Sequence, residues 1–208
     1  VDKYLAHRAG IFLKHAEVKI KPRRQIAPTN DETARAFPIC QFPRLLKELA
    51  AEEGRALSRW LDAGWGTIVE DCKINDHFSD ELVDAVVEMI EQRWNPELTP
   101  SWVCCVPSLR QTRLVPDFAN RLANKLGIPF FDQVEQTEPQ RNQRNSYHQC
   151  TNLDGAFQII GEIPKGAVLL LDDVVNSGWT FTIISALLKR AGSGVVYPVA
   201  LASTAVSD

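Results

Sequence analysis

The chain has 208 residues, 45% of them hydrophobic and 24% charged, with a formal net charge of −3. This supports the core of one ordinary domain, or of a domain with a small appendage. A pI of about 5.9 argues against a whole-surface nucleic-acid binder, and no apolar run approaches the roughly 18 residues of a membrane-spanning helix.

Cys40, Cys72, Cys104, Cys105 and Cys150 are odd in number, form no CxxC pair, and include two neighbours inside an apolar run. They are expected to be reduced, mostly buried thiols in a cytoplasmic protein. Their spacing fits no zinc site.

The first residue is Val, inside a helical pattern over residues 2–14, so a piece of a longer protein is expected. Residues 1–45 are expected to be a linker or tether with one short strand. Ala16–Lys21 alternates like a half-exposed strand, and Pro22, Pro28, Pro38 and Pro43 then punctuate the chain. Lys19, Lys21, Arg23 and Arg24 form a basic cluster, read first as a solvated strand edge and second as a phosphate contact.

Residues 46–208 are expected to form the main domain, helical over 46–98 and α/β over 99–208. Ser79 suits a helix N-cap, with Asp80 and Glu81 in the first turn. Leu82, Val86, Met89 and Ile90 follow at helical spacing. Trp60, Trp65 and Trp94 are expected to anchor the core.

Strands then alternate with helices. Strands are predicted over Trp102–Val106, Pro129–Val134, Ala156–Ile160, Val168–Leu171 and Val195–Leu201, with a polar loop over Glu135–Thr151. Helices are predicted over Val115–Leu126, capped by Gly127, and over Trp179–Ala191. This alternation implies crossover connections and a parallel sheet.

Asp172 and Asp173 end the most apolar strand. Asn176-Ser177-Gly178-Trp179-Thr180 then leads into a helix. Ligands of open α/β sheets bind at the carboxyl ends of strands, and a helix N-terminus offers amides to a phosphate. Adjacent carboxylates can accept hydrogen bonds from vicinal hydroxyls or hold a metal through water. One segment therefore joins a phosphate cradle to a sugar clamp.

This segment resembles the ribose-phosphate motif of type I phosphoribosyltransferases. The resemblance implies a parallel-sheet, Rossmann-like α/β fold with an N-terminal helical region. It implies that Asp172 and Asp173 hold the ribose hydroxyls, and a magnesium ion indirectly through water. It also implies that Asn176, Ser177, Gly178, Trp179 and Thr180 wrap the 5-phosphate of phosphoribosyl pyrophosphate. Trp179 stands where the family usually has Gly, Ala or Ser, a departure that bears on turnover more than on binding. Val103–Arg110 resembles the family's pyrophosphate loop, which implies leaving-group contacts from Arg110 and, less directly, Ser108. Gln140–Phe157 resembles the closing loop and Asn-x-x-Gly-Ala-Phe element of the ComF-like branch, with Arg141 and Arg144 implied at the pyrophosphate.

Glu53–Ser58, Asp62–Gly66, Val106–Phe118 and Asp172–Gly194 together resemble the C-terminal region of certain bacterial RecQ-family DNA helicases. That implies a helicase in the same parent chain, DNA bound through the parent chain, and a role in DNA repair or recombination. These residues hold no motor motif of their own. Three functions stay open: phosphoribosyl transfer, sensing of a phosphoribosyl compound without turnover, and a non-catalytic domain docking DNA or a repair partner.

Overall fold

Val168-Leu169-Leu170-Leu171 is apolar on both faces, and such a segment is stable only with cover on both sides. The computed structural model describes residues 3–26, 39, 44–138, 150 and 152–205. Its elements are α1 (Lys3–Lys14), β1 (Val18–Ile20), β2 (Gly54–Arg59), α2 (Gly66–Ile74), α3 (Asp80–Glu88), β3 (Trp102–Cys105), α4 (Leu114–Leu126), β4 (Val134–Gln136), β5 (Phe157–Ile159), β6 (Val168–Val175), α5 (Trp179–Arg190) and β7 (Val196–Ser203). A π-helical turn, Met89–Trp94, continues α3. The main sheet runs β1-β2-β7-β6-β3. β1 is antiparallel to β2, and the other neighbours are parallel. β4 and β5 form a separate antiparallel pair.

Strand alternation divides the core into two layers. Trp102, Cys104, Val168 and Leu170 face the layer that holds α5. Val103, Cys105, Leu169 and Leu171 face the layer of α2, α3 and α4. The fold is therefore mixed α/β, with a mostly parallel sheet covered by helices on both faces. Among the described residues, no helix is long and apolar enough to cross a membrane.

The structure departs from the expectations in several places. Residues 46–98 are not all helical, because β2 lies between β1 and β7. Gly-Arg-Ala-Leu-Ser-Arg contains no β-branched or aromatic residue, so propensity does not reveal it. The strand is fixed by its neighbour: a Cβ on Gly54 would stand 2.2 Å from the Pro198 carbonyl of β7. Ile20, Ile26 and Leu45 pack in the layer of α5. Arg55 also reaches back to Glu17 at 3.1 Å.

Pro129–Val134 supplies only an isolated parallel bridge from Phe130 to Val103, and pairing resumes in β4 with a new partner. Ser79 occupies the N-cap of α3, yet its side chain makes no capping bond. Cys150 is disulfide-bonded, against the expectation of reduced thiols, because sequence spacing does not reveal which sulfurs a fold brings together. Cys72, Cys104 and Cys105 are free.

Candidate functional site

β3 feeds α4 in one layer, and β6 feeds α5 in the other. Their connections also diverge along the sheet, to the bridge at Phe130 beyond β3 and to β7 on the far side of β6. Such divergence opens a crevice at the carboxyl ends of two adjacent parallel strands. The Val106 amide donates to the Leu171 carbonyl at 2.8 Å. Beyond that point β3 has ended, while β6 stays paired with β7 through Val175. One edge of residues 172–175 is thereby released. A cavity of about 900 Å³ opens there, lined by Ser108, Arg110, Asp172, Asp173, Asn176, Ser177, Gly178 and Thr180 among others.

Asp172 and Asp173 lie inside the observed strand rather than after it, because β6 runs four residues past the predicted Val168–Leu171. The Asp173 amide donates to Asp172 Oδ1 at 2.8 Å, and the Val174 amide to Asp173 Oδ1 at 2.6 Å. Lys73 donates to Asp173 Oδ2. Burial, and then the neighbouring Asp173 charge, push the Asp172 carboxyl well above the usual carboxylate range. The two acids are thus inequivalent: Asp173 is pinned by a cation, and Asp172 holds its proton more tightly than an ordinary carboxyl group does.

The turn after β6 needs a left-handed residue, and Gly178 supplies it with φ +78°. The Gly178 carbonyl accepts both the amide and the hydroxyl of Thr182, at 3.0 Å each, which starts α5. Arg23 donates through Nε to the Ser177 carbonyl. Ser177 and Thr180 are half-buried and Asn176 is exposed. The Trp179 side chain does not line the cavity. Its indole is 1% exposed in the α5 core, with Nε1 buried and unpartnered among the described residues.

The loop after β3 is self-contained. Ser108 Oγ accepts the Arg110 and Gln111 amides at 3.3 Å each, and Gln136 accepts the Leu109 amide at 3.2 Å. The amides of residues 109–111 are therefore engaged within the protein. Arg110 is exposed and makes no ion pair among the described residues. Arg141 and Arg144 lie outside the described residues, and Asn152 and Leu153 line the cavity.

Lys73 and Gln136 also line the cavity and were missed by sequence reasoning. Lys73 sits in the last turn of a helix and carries no local signal. Gln136 is a buried polar residue on a short strand, and burial is not legible in a polar side chain. Burial raises the Cys104 thiol to about 12 and pushes Cys105 higher still, so neither suits a nucleophile. Among the described residues no group of three or more His, Cys, Asp or Glu could hold a metal. With two carboxylates, Asp172 and Asp173, the cavity fits a magnesium ion held indirectly through its water shell, as the resemblance implies.

The basic cluster is largely consumed within the protein. Lys19 pairs with Glu53 at 3.2 Å, Arg23 binds Ser177, and Arg24 donates to the Leu45 carbonyl at 3.2 Å.

No family model matches the chain, and no curated protein matches it. Solved structures do. The chain is similar to an adenine phosphoribosyltransferase from Saccharomyces cerevisiae, solved with an imino-altritol bisphosphate and adenine, at 21% identity over 60% of this chain and 67% of that one, with a TM-score of 0.43. It is similar to an orotate phosphoribosyltransferase from Aeropyrum pernix at 20% identity over 60% of this chain and 58% of that one, with a TM-score of 0.40. An adenine phosphoribosyltransferase from Leishmania donovani matches at 18% identity over 98% of this chain and 86% of that one, also at 0.40. The chemistry rests on the cavity itself.

Proposed function

We propose that the cavity binds a phosphoribosyl pyrophosphate-type ligand with magnesium. One observation carries this reading: a single cavity joins an asymmetric diacid, a glycine turn opening a helix, and a loop bearing Arg110, which makes no ion pair among the described residues. Asp172 and Asp173 accept the ribose hydroxyls. Ser177, Thr180 and the amides of the turn hold the 5-phosphate, with Asn176 at its outer edge. Trp179 contributes its backbone, since its side chain belongs to the core. Arg110, helped by the Ser108 hydroxyl, meets the pyrophosphate, and Arg141 and Arg144 belong to the same role. Magnesium, when bound, neutralises pyrophosphate charge.

A transferase built on this site needs no covalent nucleophile. It displaces pyrophosphate from C1 of the sugar by a nitrogen nucleophile, through an oxocarbenium-like transition state. The chain's part is to orient the sugar, steady the leaving group and exclude water. Sensing of the same ligand without transfer needs the same contacts.

We also assign the chain to the ComF-like branch, at the C-terminus of a RecQ-family helicase acting in DNA repair or recombination. This rests on the sequence resemblance, which covers most of residues 50–203. DNA contact then falls to the parent chain, because three of the four basic residues over 19–24 are engaged internally. Cytoplasmic placement is carried by that linkage rather than by the cysteines, since Cys150 is disulfide-bonded.

The test is thermal denaturation of the protein with phosphoribosyl pyrophosphate and magnesium, beside Asp172→Asn/Asp173→Asn. At a hundred times its dissociation constant a ligand adds about 2.7 kcal/mol. That raises the midpoint by roughly 5–10 °C at this size. The shift is expected in wild type and absent in the double variant, each against its own baseline. No shift at millimolar donor removes the reading.

A further inference from the structure

The cavity holds a cation that the strand-turn-helix segment does not supply. Lys73 lies 100 residues before Asp173 in sequence, in the last turn of α2, and its Nζ donates to Asp173 Oδ2. The position of α2 is fixed from the sheet outward. Asp62 Oδ1, in the loop after β2, accepts the Gly64 and Gly66 amides at 2.9 Å each. A Cβ on Gly66 would stand 2.1 Å from the Arg59 carbonyl, so the helix begins hard against the end of β2. β2 is in register with β7 at Arg59 and Ser203, and β7 with β6 at Ser203 and Val175. Lys73 therefore reaches the diacid from an element held by the same sheet.

The pair fixes the Asp173 carboxylate at both oxygens. Oδ2 takes the Lys73 ammonium and Oδ1 takes the Val174 amide at 2.6 Å. Each oxygen keeps a second lone pair for another donor. Two adjacent carboxylates would by themselves confront an anionic ligand with like charge, and Lys73 offsets one of them. The Asp173 side chain is 12% exposed and the Lys73 side chain 32%, so solvent screens this pair less than a surface pair. Among the described residues lining the cavity, the cations are Lys73 and Arg110. Arg110 makes no ion pair there, whereas Lys73 is committed to Asp173.

We propose that Lys73 is a positioning residue of this site: it acts through Asp173, orienting that carboxylate and cancelling its charge so that a diacid accommodates a phosphorylated sugar. The inference rests on the ribose-phosphate reading above. It adds a role to a residue outside the segments that the sequence pattern marks.

The test is calorimetric titration of phosphoribosyl pyrophosphate with magnesium into wild type, Lys73→Met, Lys73→Arg, Asp173→Asn and the double variant Lys73→Met/Asp173→Asn. Lys73→Met is expected to weaken binding by about tenfold or more, as for loss of a charged hydrogen-bond partner. Lys73→Arg, which keeps charge and donor, stays within roughly threefold of wild type. In the Asp173→Asn background, Lys73→Met adds less than about twofold, because the two residues act as one unit. Should Lys73→Met fail to fold, Lys73→Gln takes its place with the same thresholds.

Wild-type affinity in Lys73→Met overturns the inference and leaves the ribose-phosphate reading intact. Equal losses in the Arg and Met variants overturn it as well, since charge is then not the operative property. A full loss on top of Asp173→Asn makes Lys73 a direct ligand contact and overturns the positioning role. Absence of wild-type binding removes the ribose-phosphate reading and this inference together.

Discussion

Arg23 donates through Nε to the carbonyl of Ser177, across 154 residues of sequence. A trans peptide is planar, with its carbonyl and the following amide pointing in opposite directions. Arg23 does not line the cavity, whereas Ser177 and Gly178 do. Holding the Ser177 carbonyl therefore directs the Gly178 amide away from Arg23. Arg23→Ala is expected to weaken donor binding by about threefold to tenfold, the scale of one hydrogen bond, with the unliganded midpoint unchanged. Titration calorimetry checks it. Unaltered affinity would show that the turn holds its own shape.

Gly178 has φ +78°, and a Cβ built there meets nothing within 4 Å. Gly178→Ala thus produces no clash, and its cost is backbone strain of about 1–2 kcal/mol. The midpoint should fall by roughly 2–8 °C at this chain length. Gly178→Asn should fall less, because Asn tolerates the left-handed region. Thermal denaturation of the two variants decides it. Equal losses would mean that the φ requirement is not what selects glycine.

The parts of the site legible in sequence are those where one segment carries the whole signal. Val168–Leu171 is apolar on both faces, so it announces a central strand, and the acids and glycine after it announce the turn. β2 gave no such signal, because its place is fixed by Gly54 against Pro198 rather than by its own side chains. Lys73, and the contact of Arg23 with Ser177, were hidden for a related reason. Each meets the site through tertiary contact, from a helix end and from the segment after β1. Trp179 was visible as a departure from the family pattern, but only packing shows that its indole turns into the core.

Asp172 carries an unusual sign for pH dependence. Its carboxyl is raised by burial and then by Asp173. The native state therefore binds this proton more tightly than the unfolded state. Stability from Asp172 is present at acid pH and is lost as pH rises from the ordinary carboxylate value through the raised native one. Asp172→Asn keeps an oxygen for the Asp173 amide and removes the repulsion. At neutral pH the unliganded variant should melt above wild type by about 2–4 °C, the equivalent of ~1 kcal/mol at this size. The gap should close as the medium is acidified. A variant that melts lower at neutral pH would show that the charge on Asp172 is stabilising.

Trp179 separates the core from the cavity. Its indole is 1% exposed, and Nε1 is buried with no partner among the described residues. Trp179→Ala removes a large buried side chain and should cost about 3–5 kcal/mol. Trp179→Phe leaves a smaller void and also removes an unsatisfied donor, which itself costs roughly 1–3 kcal/mol when buried. The two effects oppose each other, so the Phe variant should lie within about 2 kcal/mol of wild type. Since the indole does not line the cavity, the Phe variant should bind phosphoribosyl pyrophosphate within about twofold of wild type, as expected for a substitution outside the contact surface. Denaturant unfolding and titration calorimetry on the same preparation test both halves. An intact fold with tenfold altered affinity would place the indole in the ligand's path, and the departure from a small residue would then be a feature of recognition rather than of packing.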